Sequence, residues 1–245
     1  MGTMKRLTDW MDRTWYPDHA NNWDDELFRR EIEKRLRPEL HALDLGAGVG
    51  IVPQMNFRGA VARLCGVDPS ERVHENPHLD EAKQGFGEEI PYPAAHFDLV
   101  FSDNVLEHLP EPEKVFREVH RVLKPGGIFL AKTPNRRHYV ATLARMTPHR
   151  IHQFVNSLRG RAQEDTFPTC YRANTPDSIR ALADRSGLRV LECQLIEGRP
   201  EYLRLSPFTY IFGWLYERIV NSTRLLERFR VVIIGVLQKE PEATD

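Results

Sequence analysis

Residues 43–50 read Leu-Asp-Leu-Gly-Ala-Gly-Val-Gly, a short apolar run that passes directly into alternating glycines. That order predicts a buried strand ending in a tight turn, where missing side chains let a ligand approach the backbone closely. Such turns serve at the carboxyl edge of the parallel sheets of α/β folds, where ligands bind, but a glycine turn alone does not fix the architecture. A second predicted strand, 63–67, closes on Asp68, which lies 22 residues beyond Gly46 and is placed to accept hydrogen bonds from a ribose. Glycine turn and acid together indicate a nucleoside-containing cofactor without choosing one. The dinucleotide fingerprint wants Gly or Ala at residue 51, where this chain has Ile51, so NAD is the less favoured reading.

The remaining elements alternate. A helix is predicted over 23–36, capped by Asn22, with Leu27, Phe28, Ile32 and Leu36 on one face, and another should follow the glycine turn through Met55. Residues 97–101 read as a buried strand, 112–123 as a helix and 128–132 as a strand, with a turn at 124–127. Thr175-Pro176-Asp177 supplies a cap, a first-turn proline and an acid for a helix that Gly187 ends; 188–194 and 230–237 are the last strands. Strands alternating with helices mean a parallel-type sheet covered on both faces, the final strand being a candidate for antiparallel insertion. Residues 134–170 and 198–227 are too long for connectors and are expected to form helices over one end of the sheet, walling the substrate region.

With 245 residues, the chain has room for one large α/β domain. Lys and Arg number 34 against 35 Asp and Glu, which removes the simplest case for a nucleic-acid binder. Three scattered cysteines, Cys65, Cys170 and Cys193, read as free thiols, and the first ten residues lack a secretory signal, so the chain reads as cytoplasmic. Apolar stretches 210–216 and 231–237 are far short of the roughly twenty residues that cross a bilayer.

Four motifs stand in order: 43–50, Gly66-Val-Asp-Pro-Ser70, Phe97-Asp-Leu-Val-Phe-Ser-Asp-Asn-Val-Leu-Glu-His-Leu109 and Leu123-Lys-Pro-Gly-Gly127. Over about residues 40–133 this series resembles the class I S-adenosylmethionine-dependent methyltransferases, in the small-molecule branch that includes the ubiquinone-biosynthesis O-methyltransferases. The resemblance implies a Rossmann-like seven-stranded α/β fold, six strands parallel and the seventh antiparallel, with S-adenosyl-L-methionine as cofactor. It implies that Gly46, Ala47 and Gly48 pass under the methionine part, that Asp44 orients the loop, that Asp68 holds the ribose and that Pro69 packs on adenine. Ser102, Asp103 and Asn104 would line the floor beneath the sulfonium and ammonium. Where the family has an acid and a small residue for the adenine amine, this chain has Phe86 and Gly87, so Glu88 or a backbone carbonyl substitutes, or Phe86 adds an apolar wall. Tyr16 either closes over the cofactor, as N-terminal aromatics do in similar enzymes, or packs on the first predicted helix.

A hydroxyl acceptor needs a base, and His108 is the candidate because imidazole titrates near neutrality; capping the helix entrance is its other reading. Glu107 is expected to make a structural hydrogen bond to nearby backbone, and no metal site is expected. Between residues 132 and 161 stand Lys132, Arg136, Arg137, Arg145, Arg150, Arg159 and Arg161, with His138, His149 and His152 and no acid, which leaves 27 basic against 35 acidic residues elsewhere. This block reads as a basic cap for an anionic substrate or an anionic lipid surface, or as a solvated basic surface. Arg136, Arg137 and Arg172 are the candidate substrate anchors. The aromatic stretch 202–216 suits an acceptor pocket, a membrane-facing or subunit-facing helix, or plain core. The expected organisation is a single domain: a helical segment 1–38, a cofactor core 39–133, the cap 134–170, and a sheet half 171–245 containing the insertion 198–227. A small-molecule methyltransferase, monomeric or homodimeric and without a nucleic-acid partner, is the leading reading. A nucleic-acid methyltransferase and a cofactor-binding scaffold without transferase activity are the alternatives.

Overall fold

The computed structural model describes residues 2–18, 23–141 and 168–241. Its seven strands are β1 (His41–Leu45), β2 (Arg63–Asp68), β3 (Glu81–Gln84), β4 (Phe97–Asp103), β5 (Leu123–Pro134), β6 (Leu188–Ile196) and β7 (Val232–Lys239), in the sheet order β3-β2-β1-β4-β5-β7-β6. Neighbours from β3 to β5 pair in parallel, and β7 runs antiparallel to both β5 and β6, the six-plus-one arrangement implied by the motifs. Five helices accompany the sheet: α1 (Gly2–Trp15), α2 (Trp23–Glu33), α3 (Pro112–Val122), α4 (Pro176–Ser186) and α5 (Pro207–Ser222).

Strand side chains alternate between two cores, because successive residues of a strand point to opposite faces. Leu43, Cys65, Val100 and Phe129 pack with Val115, Phe116 and Val119 of α3 and Ile179 and Leu182 of α4. Ala42, Leu64, Leu99, Phe101 and Leu130 pack on the other face with Phe28 and Ile32 of α2. Covering both faces explains why β4 reads as a continuous apolar run rather than an alternating one. A third cluster of Met11, Tyr16 and Tyr210, with Trp15 and Trp214 against it, joins α1 to α5. Both α4 and α5 start in reciprocal capping boxes, Thr175 with Ser178 and Ser206 with Thr209, and Gly187 closes α4 at φ +75°.

Three sequence expectations fail locally, one of them the turn at 124–127, which lies within the continuous strand β5. Instead of a helix from the glycine turn through Met55 there is one 3-10 turn, Pro53–Met55, preceded by an extended Val52. Proline disfavours the helical conformation of the residue before it and has no N–H to donate, so a helix cannot be built across Val52 and Pro53. The sheet also contains β3, absent from the residue-level reading, whose Glu-Ala-Lys-Gln pairs with 65–68 at the sheet edge.

Candidate active site

The carboxyl ends of β1, β2 and β4 converge around the glycine turn. Gly46 N–H donates to Val67 carbonyl at 2.7 Å, and Gly48 N–H donates to Asp68 Oδ2 at 3.0 Å. Asp68 Oδ1 accepts from Ser70 N–H at 2.8 Å, so the carboxylate ties the turn to the end of β2. Asn76 completes the latch, its amide donating to the carbonyls of Ala47 (3.0 Å) and Gly48 (3.3 Å). A Cβ on Gly46, at φ +88°, would meet Val105 Cγ2 at 2.3 Å, whereas one on Gly48 would meet nothing within 4 Å. The turn is thus packed below at Gly46 and open above Gly48, the shape of a backbone cradle.

Three carboxylates surround that opening. Burial pushes the Asp44 carboxyl well above the usual range, and the charges of Asp103 and Asp68 push it further. Asp103 is also raised, chiefly by burial; Lys132 opposes that rise and Asp25 and Asp24 add to it. Ser102 Oγ is buried with no hydrogen-bond partner among the described residues. Asn104 follows at φ +53°, its N–H donating to the carbonyl of Lys132 at 2.9 Å. Two buried acids of raised pKa, Asp44 and Asp103, and an orphaned hydroxyl favour a cationic ligand with hydrogen-bonding arms, which fits a sulfonium nucleoside carrying an amino acid.

Lys132 departs from its reading as part of a basic cap. It has no exposed surface, and its Nζ lies 2.9 Å from Asp103 Oδ1 and 3.1 Å from Asp24 Oδ2 and contacts Asp25 Oδ1. The cause is position: Lys132 lies in β5 beside Asp103 of β4, and the first turn of α2 brings its acids over both strand ends. Asp24 and Asp25 carry the sequence signal of helix-dipole acids, which concealed this second role.

Beyond β4, Glu107 is buried, and its Oε2 accepts from the side-chain hydroxyl of Thr133 at 3.0 Å. Asn174 donates to the same Thr133 Oγ1 at 2.6 Å, and the Glu107 carbonyl accepts from Tyr171 N–H. His108 Nδ1 lies 3.1 Å from Pro168 carbonyl and Nε2 lies 4.0 Å from Glu107 Oε1. Among the described residues no three His, Cys, Asp or Glu side chains form a metal-sized group.

The other predicted residues are dispersed. Pro69 accepts from Gln84 at 2.9 Å beside Asp68. Gly87 sits where a Cβ would press on Val115 at 3.2 Å, Phe86 is exposed, and Glu88 lines an open groove with Gln84 and Arg121. Tyr16 donates its hydroxyl to Glu217 Oε2 of α5 at 2.9 Å, a partner neither reading named. Arg137 pairs with Asp177 at 2.9 Å, Arg172 donates to Pro110 carbonyl at 2.7 Å, and the exposed Arg136 donates to Tyr171 carbonyl at 3.5 Å. His138 of the predicted basic block is buried, with Nε2 3.6 Å from Glu197 Oε2. Arg145, Arg150, Arg159, Arg161, His149 and His152, like the Asn22 cap, lie outside the described residues.

A family model described as a methyltransferase domain matches residues 20–193, and the chain belongs to that family. Its cofactor is S-adenosyl-L-methionine. Among individual relatives, a sarcosine/dimethylglycine N-methyltransferase of Halorhodospira halochloris is 32% identical over 113 residues, 42% of this chain and 40% of the relative. A ubiquinone biosynthesis O-methyltransferase of Pseudomonas putida is 30% identical over 159 residues, 56% of this chain and 63% of the relative. The chain therefore spans less than two thirds of either. Among solved structures, an S-adenosylmethionine-dependent methyltransferase from Mesorhizobium loti matches with a TM-score of 0.53 at 18% identity, covering 90% of this chain and 99% of that one. The [4+2]-cyclase SpnF matches at 0.59 and 17% identity, covering 91% and 85%. Both likenesses are of fold.

Proposed function

We propose that this chain transfers the methyl group of S-adenosylmethionine to a hydroxyl oxygen of a small, anionic or partly hydrophobic acceptor. The observation that carries the reading is the grouping of Asp44, Asp68 and Asp103 at the ends of β1, β2 and β4, next to a glycine turn whose Gly48 N–H donates to Asp68 and has room for a ligand. When bound, the cofactor supplies a methyl already activated by its sulfonium. The chain's own residues then have to bind, align and deprotonate. Asp68 would hold the ribose, the Gly46–Ala47–Gly48 backbone the methionine, and Asp44, Ser102, Asp103 and Asn104 the cationic end, with Pro69 and Gly87 beside the adenine.

His108 is the proposed base. Its Nδ1 faces the carbonyl of Pro168, which can only accept, so in the proposed mechanism Nδ1 would donate there and Nε2 would take the acceptor's hydroxyl proton. The imidazolium so formed would be stabilised by the buried Glu107 carboxylate, held in turn by Thr133. Arg136, Arg137 and Arg172 would serve as anchors for an acidic acceptor group.

Isothermal titration tests the cofactor assignment: Asp68→Ala should weaken S-adenosylmethionine binding at least about tenfold, the loss of one charge-assisted hydrogen-bond set. Incubation with labelled cofactor and cell extract, read by mass spectrometry, identifies the acceptor. An O-methylated metabolite formed by the wild type and lost in His108→Asn supports the reading. An N-methylated product moves the chemistry to an amine, and salt-sensitive nucleic-acid retention would favour the nucleic-acid alternative. Cofactor binding with no methylated product would leave a scaffold.

A further inference from the structure

We propose that α1 and α5 together form a docking surface for an anionic lipid bilayer. The inference starts from α5, whose amphipathicity is inverted. Its inward positions include Tyr210, Gly213, Glu217 and Val220, so that the helix buries its acid. Glu217 is held there by the Tyr16 hydroxyl at 2.9 Å and the Asn221 amide at 2.7 Å. Outward, at spacings of three and four, stand Phe208, Ile211, Phe212, Leu215 and Ile219, all exposed, with Phe208 at 71%. A soluble helix of ordinary design presents the opposite pattern to water.

The neighbouring helix repeats the feature. Met4, Leu7 and Trp10 are exposed at three-residue spacing along α1. The two helices are joined through Trp15, whose ring lies 6.5 Å from Trp10 and 5.5 Å from Trp214, so the two stripes lie on packed elements from opposite parts of the chain. Helices of 14 and 16 residues are too short to span a bilayer, and no described helix is long and apolar enough to cross one. The apolar faces would therefore lie in the plane of the interface.

Charge selects the occupant. Lys5, Arg6 and Arg13 are exposed on α1, and Arg218, Arg224 and Arg228 on α5 and the turn after it. Of the acids on the two helices, Asp12 is buried, Asp9 lies 3.8 Å from Arg204, and the buried Glu217 pairs with Arg218 Nε at 3.3 Å, so the uncompensated rim charge is that of Lys5, Arg6, Arg13, Arg224 and Arg228. A second copy of this chain docking by a two-fold axis would set this cationic rim against itself. Anionic headgroups over acyl chains complement both the rim and the stripes.

The test is co-sedimentation of the full chain with vesicles of phosphatidylcholine alone and of phosphatidylcholine mixed with phosphatidylglycerol. Retention should be strong on the mixed vesicles, weak on the neutral ones and reduced by salt. The double variant Phe208→Ser, Phe212→Ser should lose retention by roughly a hundredfold, from about tenfold for each aromatic withdrawn from the apolar layer. Its unfolding temperature and cofactor-induced stabilisation should be unchanged, since neither ring is buried. Arg224→Glu with Arg228→Glu should erase the preference for the anionic vesicles. Absence of retention on both vesicles, or retention indifferent to the serine pair, overturns the proposal. A wild-type dimer in analytical ultracentrifugation that the serine pair dissociates, without vesicle retention, overturns it in favour of a subunit interface.

Discussion

Lys132→Met removes the one cation among the described residues that faces Asp103, Asp24 and Asp25 without changing the apolar length of the side chain. Lys132 has no exposed surface, so its charge is compensated by contact with those carboxylates rather than by water. Breaking a buried ion pair by deleting one partner costs about 3–5 kcal/mol. Asp24 and Asp25 retain side-chain exposures of 28% and 15%, which lets water relieve part of the loss and places the expected cost at the lower end. For a chain of this length each kcal/mol shifts the unfolding temperature by about 2–4 °C, so the variant should melt about 6–12 °C below the wild type. The deficit should depend on pH with a definite sign. Without Lys132, Asp103 is raised further, and a carboxyl raised in the folded state contributes stability at acid pH that is lost as pH climbs through its folded pKa. The deficit should therefore narrow on acidification and widen above neutrality, and Asp103→Asn in the same chain should restore part of it. Thermal unfolding followed by circular dichroism across that range is the assay. A melting temperature within about 1 °C of wild type at pH 8 would falsify the claim that this cation holds α2 to the strand ends. A second readout concerns the ligand: cationic S-adenosylmethionine should stabilise the variant by more degrees than the wild type, and S-adenosylhomocysteine, neutral at sulfur, should gain less.

Three other outcomes are expected. Gly46→Ala combines φ +88° with a Cβ 2.3 Å from Val105 Cγ2 and should cost about 1–3 kcal/mol in urea unfolding, with loss of cofactor affinity. Burial holds His138 down to about 3 and Glu197 up to about 8. The His138 contribution is lost as pH falls from its ordinary 6.5 towards 3, and the Glu197 contribution as pH rises from its ordinary 4.5 towards 8. Stability should then peak near about pH 5–6, and Glu197→Gln should abolish the alkaline decline; a monotonic profile in the wild type argues against the neutral pair. Arg136→Glu with Arg137→Glu should raise the acceptor's KM with cofactor affinity preserved, and unaltered kinetics would reduce both side chains to solvated surface.

The central elements were legible because each carries its own signal: a doubly covered strand reads as an apolar run, and α4 announces itself with Thr175, Pro176 and Gly187. What the sequence concealed depends on neighbours. The Glu-Ala-Lys-Gln of β3 holds its place by pairing with β2 rather than by any hydrophobic pattern of its own. Lys132 looked like one more base in a basic stretch, and only its register beside Asp103 shows that it is an interior ion. Asn76 latches the glycine turn from the end of a 3-10 turn, Glu71–Glu75, that carries no motif, and Gly50 must lack a side chain because a Cβ there would meet Asn76 Oδ1 at 2.5 Å. Among the site residues, the strand-end acids were readable because their position follows from the strand. Tyr16 was not, since its partner Glu217 lies 201 residues away.

The placement of β7 between β5 and β6 separates the order of synthesis from the order of the sheet. As the chain leaves the ribosome, β6 emerges with no strand to pair with, and the edge of β5 stays open until residues 232–239 follow. Through that interval α4 has one half of the sheet to rest against, and unpaired edges of this kind recruit wrong partners. A substitution in β7 therefore acts on two strand pairings at once, those with β5 and with β6, and on the closure of both open edges.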